Sequence, residues 1–239
     1  MADKVAVYAG TENIYPQMYT ALKSLLLNNQ MDRVYLLIET DSFPYDVPDF
    51  VTLINVAEQP WFKPGSPNFK NRYSYMTLMR CVLGELFEKE ERILWLDCDT
   101  IVNDDISDLF NINMNGYMYA AVMEPGKSKD IFRYVNAGVL LCNLELLRLT
   151  AKELEMVHFL NTFQLPWLDQ DVINLLCQGR IRLIGSEYNT NHFTMECLRP
   201  KIIHYAAIKD YMNEWAYKKY EAMELPIKHE TEDDDSNER

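Results

Sequence analysis

The residues best suited to chemistry are two aspartates, Asp97 and Asp99, which follow the apolar run Ile93-Leu94-Trp95-Leu96. A run that is apolar on both faces is typical of a central strand in a parallel sheet. In open α/β sheets, ligands bind beyond the carboxyl ends of such strands. If the chain stays extended there, both carboxylates point to one face and Cys98 points to the other. Two oxygen ligands on one face suit Mg²⁺ or Mn²⁺ bridging a diphosphate. The alternative is that the carboxylates only cap or turn the chain.

A second candidate is Arg80, which lies between Met76 and Leu83 on the apolar face of a helix predicted over 72–87. An unpaired buried charge is costly, so an arginine on this face requires a partner. The carboxylates after the next strand can supply it. The alternative is an arginine whose head reaches solvent along its apolar stem.

The elements that must position these groups follow an α/β pattern. Short apolar runs alternate with segments of helical periodicity, which predicts a mostly parallel, mixed sheet flanked by helices. The predicted strands are 5–8, 34–38, 51–54, 93–96, 117–123, 139–144 and 201–205. The predicted helices are 15–27, 72–87, 151–162, 169–177 and 213–223. No internal repeat or linker interrupts them, so residues 1–228 are expected to form one domain.

Composition narrows the function classes. The net charge is −13, and the acidic run at 229–239 predicts a disordered tail. An acidic chain is a poor nucleic-acid binder, and it disfavours electrostatic docking to a membrane, with peripheral association as the alternative. The five cysteines form no Cys-x-x-Cys pair. Together with the lack of an apolar leader or of a run of about 18 apolar residues, this predicts a cytoplasmic location.

Four motifs in order extend the aspartate pattern. They are Leu94-Trp95-Leu96-Asp97-Cys98-Asp99-Thr100-Ile101-Val102, then 134–144 (YVNAGVLLCNL), 168–174 (LDQDVIN) and 202–205 (IIHY). Their order and spacing resemble the family 8 glycosyltransferases, over about residues 5–209. The loop Tyr8-Ala9-Gly10-Thr11-Glu12-Asn13 also resembles the nucleotide-binding first loop of that family.

The resemblance implies a GT-A, Rossmann-like fold. It also implies retaining transfer of a hexose, glucose or galactose, from a UDP-sugar to a glycan or protein acceptor with Mn²⁺. The implied metal ligands are Asp97, Asp99 and His204. The implied catalytic residues are Gln170, Asp169 and Arg80. The other residues implied in donor binding are Ala9, Thr11 and Asn13 at the nucleoside, Cys98 in the aspartate motif, Asn136 and Ala137 at the sugar, and Lys209 at the diphosphate. Glu124 falls near an acidic residue on the acceptor side of some relatives.

Several of these residues have a structural alternative. The segment 136–138 reads equally as a turn entering a strand, and Asp169 as the N-cap of its helix. His204 alone is typical of a hydrogen-bonded core histidine. The chain also departs from the family pattern after Tyr205. It lacks the Gly and the Pro-Trp of the segment that closes over the diphosphate, and Thr11 stands where relatives often carry Asp.

Two other functions compete with the transferase. One is a relative that binds nucleotide sugar with weak or no catalysis and acts as a sensor or partner subunit; the altered closing segment favours it. The other is a sugar nucleotidyltransferase, which needs a glycine-rich loop with a basic residue after the first strand. The loop 9–13 has neither feature.

Overall fold

The computed structural model describes residues 3–70, 73–129 and 132–226. Its strands are β1 (Val5–Ala9), β2 (Arg33–Ile38), β3 (Val51–Asn55), β4 (Arg92–Leu96), β5 (Thr100–Val102), β6 (Tyr119–Val122), β7 (Val139–Asn143), β8 (Ile181–Ile184) and β9 (Ile202–His204). Its α-helices are α1 (Tyr15–Asn28), α2 (Leu83–Leu86), α3 (Ser107–Phe110), α4 (Leu144–Leu149), α5 (Lys152–Thr162), α6 (Leu168–Leu176) and α7 (Trp215–Glu221). The tail predicted at 229–239 and the domain boundary at 228 lie outside the described residues.

The main sheet is mixed, with the strand order β3-β2-β1-β4-β7-β6-β8. Strands β1, β2, β3 and β4 are mutually parallel, and β7 runs antiparallel to both of its neighbours, β4 and β6. At the far edge β8 pairs in parallel with β6. The prediction of a mostly parallel, mixed α/β sheet flanked by helices is confirmed.

Side-chain alternation along the central strands builds an apolar core on each face of this sheet. Val7 and Trp95 belong to the core that α5 and α6 cover, whereas Tyr8 and Leu96 belong to the core that α1 covers. A strand whose two faces are both covered has no polar face, which explains why β1 and β4 are apolar throughout. The sheet therefore holds the carboxyl end of β4 rigidly at the centre of the molecule.

A small second sheet lies beyond that carboxyl end. Strand β5 pairs antiparallel with β9, and the register places Thr100 opposite His204. The backbone N–H of Tyr205 also donates to the carbonyl oxygen of Asp99 at 2.9 Å. This pairing joins residues that are about a hundred positions apart in sequence.

The prediction of a single helix over 72–87 is wrong. The chain instead forms a 3-10 helix, Tyr75–Cys81, followed by the short α2; position 72 lies outside the described residues. Residues i and i+3 share one side of a 3-10 helix, so Thr77 and Arg80 project together. On this side of the 3-10 helix, Arg80 reaches the end of β4 and donates to Oδ1 of Asp97 at 2.7 Å.

Several short elements were not among the predicted strands and helices, including β5, β8 and α4. The chain leaves the strand at Asn143, whose side chain accepts the Leu146 N–H and so caps α4. Within the described ranges, no helix has the length and apolar character needed to span a bilayer.

Candidate active site

Asp97, Asp99 and His204 converge at the end of β4. Nε2 of His204 lies 3.2 Å from Oδ1 of Asp99 and 3.9 Å from Oδ2 of Asp97. The ligand atoms of all three residues lie within 4.8 Å of one another. The extended-chain prediction for the two aspartates is corrected, because the Thr100 N–H donates to the Asp97 carbonyl at 3.1 Å and closes a turn. The turn and the β5–β9 pairing bring the three side chains together.

Both carboxylates keep an oxygen for a cation. Oδ1 of Asp97 accepts from Arg80 Nη2 at 2.7 Å and from Trp95 Nε1 at 2.8 Å, which leaves Oδ2 on the side of His204. Burial works to raise the pKa of Asp99, but the charge and hydrogen bond of His204 outweigh it and the net shift is downward. Two carboxylates with one imidazole form a donor set that fits Mn²⁺.

His204 is buried, but one ring nitrogen faces the carboxylates. Burial works to lower its pKa, whereas Asp99 and Asp97 work to raise it, and the net shift is upward. Its other nitrogen, Nδ1, is hydrogen-bonded to Asn189 Oδ1 at 2.9 Å. The two readings of His204 are therefore compatible, since the ring is both packed in the core and turned toward the aspartates.

Arg80 is the electrostatic centre of the site, and its side chain is only 3% exposed. It contacts Asp97 as described, and its Nε lies 3.0 Å from Oδ2 of Asp169. Nη1 donates to the carbonyl of Ala137, and the guanidinium lies 4.6 Å from the centre of the Trp95 ring. The prediction that Arg80 is buried and paired with carboxylates is confirmed.

Asp169 and Gln170 enter the site from the start of α6. Leu168 adopts a left-handed φ of +50°, a conformation costly for a residue with a Cβ and typical of functional sites. Asp169 is not the N-cap, because Trp167 occupies that position and Asp171 accepts the Trp167 N–H at 2.8 Å. Burial raises the pKa of Asp169 to about 6, against the opposing effect of Arg80.

Gln170 is held at both ends of its amide. Its Oε1 accepts from the Ala137 N–H at 2.9 Å, and its Nε2 donates to Glu124 Oε1 at 3.3 Å. Ala137 and Glu124 also line the cavity. The amide carbonyl therefore has a fixed direction before any ligand binds.

The segment 136–138 is more than a turn into β7. Asn136 is buried, and its amide donates to Glu124 Oε1 at 2.7 Å. A Cβ built on Gly138 would collide with the imidazole of His204, with Nδ1 at 2.7 Å and Nε2 at 2.8 Å. Glycine is therefore required here so that the histidine ring can pack against the backbone.

Sequence reasoning missed Lys127 and Asn189. The Lys127 ammonium lies 2.9 Å from Glu124 Oε2 and 3.9 Å from the centre of the Trp167 ring. No motif pointed to Lys127. The asparagines at 189 and 191, which follow β8, were a visible signal for Asn189, because polar side chains that are to be buried need hydrogen-bond partners.

Most of the side chains described above line one cavity of about 130 Å³. This is below the roughly 300–1,000 Å³ of a pocket that encloses a drug-sized ligand, so the cavity accommodates one end of a larger molecule. Its lining includes Arg80, Asp97, Asp99, Glu124, Lys127, Asn136, Ala137, Gly138, Trp167, Asp169, Gln170, His204, Ala206 and Ala207.

The remaining predicted site residues do not line this cavity. Cys98 is buried, and its thiol donates to the Ala9 carbonyl at 3.3 Å. Thr11 donates to Asn13 in an exposed turn after β1. Lys209 is exposed on the segment after β9.

Comparisons with known proteins define the class. Residues 5–215 match glycosyl transferase family 8, and the chain belongs to that family. It is 28% identical over 176 residues to the lipopolysaccharide 1,2-glucosyltransferase of Escherichia coli K12, covering 61% of this chain and 52% of that protein. It spans about half or less of the length of the curated relatives that it matches.

Solved structures confirm the GT-A fold. The glycosyltransferase GlyE of Streptococcus pneumoniae superposes with a TM-score of 0.72 at 20% identity, covering 94% of this chain and 61% of that one. The galactosyltransferase LgtC, solved with donor and acceptor sugar analogues, gives a TM-score of 0.67 at 19% identity, covering 91% and 95%.

Proposed function

We propose that this chain is a retaining hexosyltransferase that uses a UDP-sugar donor and Mn²⁺, with Mg²⁺ as the alternative cation. The observation that carries the proposal is the convergence of Asp97, Asp99 and His204 beside the buried Arg80. The family supports transfer of a sugar, and the similarity to a lipopolysaccharide glucosyltransferase supports a hexose. The donor sugar, glucose or galactose, and the acceptor, a glycan or a protein, are proposals.

The metal ligands would be Asp97 through Oδ2, Asp99 and His204 through Nε2. These residues would hold a divalent cation, which would supply positive charge to stabilise the diphosphate leaving group. Arg80 keeps Asp97 oriented by occupying its other oxygen at 2.7 Å. Arg80 also brings a fixed positive charge to the wall of the cavity, where no reorganisation is needed during the reaction.

The direction of attack follows from the groups beside the donor sugar. A double displacement needs a carboxylate nucleophile on the far face of the sugar. Gln170 offers only an amide oxygen, and that oxygen already accepts the Ala137 N–H at 2.9 Å. We therefore propose front-face attack, in which the acceptor hydroxyl loses its proton to the departing phosphate oxygen.

If the reaction were instead a double displacement, Asp169 would be the candidate nucleophile. Its pairing with Arg80 at 3.0 Å makes its carboxylate less available for attack. A covalent glycosyl adduct on Asp169, detected by peptide mass spectrometry, would overturn front-face attack. Otherwise Asp169 serves to hold Arg80 in place.

The acceptor would enter beside Glu124, with Lys127 and Trp167 on the same side of the cavity. The nucleoside would lie outside the enclosed part, against Ala9, Thr11 and Asn13, and Lys209 would contact the diphosphate when the segment after Tyr205 closes.

A donor screen tests the proposal. Purified protein is incubated with Mn²⁺ and each of UDP-glucose, UDP-galactose and other UDP-sugars, and released UDP is measured with and without EDTA. We expect release from at least one hexose donor, and loss of that release with EDTA and in Asp99→Asn. UDP binding without release from any donor would instead support a nucleotide-sugar-binding protein that does not catalyse transfer.

A further inference from the structure

A chain of side-chain hydrogen bonds runs from Glu124 to His204. The Asn136 amide donates to Glu124 Oε1 at 2.7 Å, and the Asn189 amide donates to Asn136 Oδ1 at 2.8 Å. Asn189 Oδ1 in turn lies 2.9 Å from Nδ1 of His204. Asn189 is fully buried and Asn136 and His204 nearly so, so these groups exchange few hydrogen bonds with water.

The donor and the acceptor of each hydrogen bond in this series can be assigned by starting from its two ends. An ionised carboxylate only accepts, so Asn136 must present its NH₂ group to Glu124. Independently, the Gly138 N–H donates to Asn136 Oδ1 at 2.9 Å, which identifies that atom as the oxygen. The Asn189 atom facing Asn136 must therefore be the NH₂ group, and its Oδ1 must face His204.

A second contact on Asn189 gives the same orientation. The Phe193 N–H donates to Asn191 Oδ1 at 2.8 Å, so Asn191 presents its NH₂ group to Asn189 Oδ1, also at 2.8 Å. Asn189 Oδ1 is thus an acceptor, and Nδ1 of His204 must carry the proton. The other nitrogen, Nε2, then offers its lone pair toward Asp99, 3.2 Å away.

We propose that Asn189 is a positioning residue that selects the Nδ1–H tautomer of His204 and thereby presents Nε2 to the cation. This inference rests on the metal site of the proposed function. A hydrogen bond to the second nitrogen of a metal-binding histidine fixes both the ring orientation and the tautomer, and its loss commonly weakens metal binding 10–100-fold. Glu124 orients the Asn136 amide, and Asn136 in turn orients the Asn189 amide. Glu124 on the proposed acceptor side and His204 on the proposed metal side therefore belong to one hydrogen-bond network.

Three variants separate this role from a structural one. Asn189→Leu removes the acceptor at similar volume, whereas Asn189→Asp keeps an oxygen for the His204 Nδ1–H. The control is Asn68→Leu, because Asn68 is also fully buried and its amide bonds backbone carbonyls of residues 160 and 163, away from the cavity. All three variants are compared with wild type by circular dichroism and thermal melting.

The first readout is Mn²⁺ affinity, from the electron paramagnetic resonance signal of free Mn²⁺. Asn189→Leu is expected to weaken binding by about 10–100-fold, while Asn189→Asp stays within a few-fold of wild type. Asn68→Leu is expected to lower the melting temperature without changing the affinity. Equal affinity in wild type and Asn189→Leu would overturn the inference.

The second readout needs no metal. Long-range ¹H–¹⁵N correlation spectra of ¹⁵N-histidine protein report the tautomer, with the His204 signal assigned by His204→Gln and the pH raised until the ring is neutral. We expect Nδ1–H in wild type and in Asn189→Asp, and loss of that preference in Asn189→Leu. Nε2–H in wild type, or an unchanged tautomer in Asn189→Leu, would contradict the inference. If wild type binds no Mn²⁺ but shows this tautomer pattern, the metal proposal fails and the tautomer assignment stands.

Discussion

Gly138→Ala should displace His204 from the proposed metal site while leaving the fold intact. The added Cβ would lie 2.7 Å from Nδ1 and 2.8 Å from Nε2 of the ring, and closer still to Cε1, whereas real Cβ contacts essentially never fall below 3.0 Å. The obstructing atoms belong to a ring whose Nδ1 is hydrogen-bonded to Asn189 at 2.9 Å. The ring must retreat by about 1 Å, a displacement large enough to cost a factor of about a hundred in a catalytic geometry.

Metal coordination is stricter still, because ligand distances hold within about 0.2 Å. We therefore expect Mn²⁺ binding to weaken by at least 10–100-fold, with overpacking lowering the free energy of unfolding by about 1–3 kcal/mol. Gly138 does not have a left-handed φ, so alanine introduces no backbone strain of its own.

The assay is a Mn²⁺ titration followed by paramagnetic resonance, with UDP release measured in parallel. Gly126→Ala is the matched control, since no heavy atom lies within 4 Å of a Cβ built there. Wild-type Mn²⁺ affinity and UDP release in Gly138→Ala would refute the assignment of His204 as a metal ligand held against this glycine.

Three other predictions follow from buried charge and backbone strain. Arg80→Met leaves the carboxylates of Asp97 and Asp169 without their cation, so urea denaturation should show a loss of about 3–5 kcal/mol; a loss below about 1 kcal/mol would contradict the pairing. Ala207 has a left-handed φ of +60°, so Ala207→Gly should raise the free energy of unfolding by about 1 kcal/mol, and an unchanged melting temperature would contradict the strain. Burial raises the pKa of Glu153 to about 7 despite hydrogen bonds from the backbone of Gly84 and Glu85. The fold therefore favours its protonated form, and its contribution to stability is complete below its unfolded pKa and is lost as the pH rises through 7. The difference in unfolding free energy between wild type and Glu153→Gln should fall by about 3 kcal/mol from pH 4.5 to pH 8, and an equal difference at both pH values would refute the assignment.

The sheet and the end of β4 were predictable because they depend on local patterns. A strand that is apolar on both faces is typical of the centre of a sheet. The local run of apolar residues was therefore enough to place Asp97 and Asp99 at the carboxyl end of a central strand. The apolar neighbours of Arg80 likewise favoured a carboxylate partner over an arginine head in solvent. The structure shows Arg80 buried and paired with Asp97 and Asp169, in agreement with that prediction.

The contacts that depend on pairing between distant segments could not be predicted from the spacing of residues along the sequence. His204 reaches Asp99 only through the β5–β9 register, and the family resemblance, not periodicity, indicated it. The 3-10 winding of Tyr75–Cys81 replaces the predicted helix, although the apolar spacing fits both periods. The contacts of Lys127 and Asn189 arise from tertiary packing. No local pattern distinguishes Lys127 from a surface lysine, and the asparagines at 189 and 191 were a signal that did not identify their partners.

The central claim is that Asp97, Asp99 and His204 hold a cation that binds the donor diphosphate. Isothermal titration of UDP into the protein, with Mn²⁺ and then with EDTA, tests it most directly, using Asp99→Asn as the matched variant. For wild type we predict tight UDP binding in Mn²⁺ and weak binding in EDTA. For Asp99→Asn we predict weak binding under both conditions. UDP binding of equal affinity in Mn²⁺ and in EDTA would contradict it.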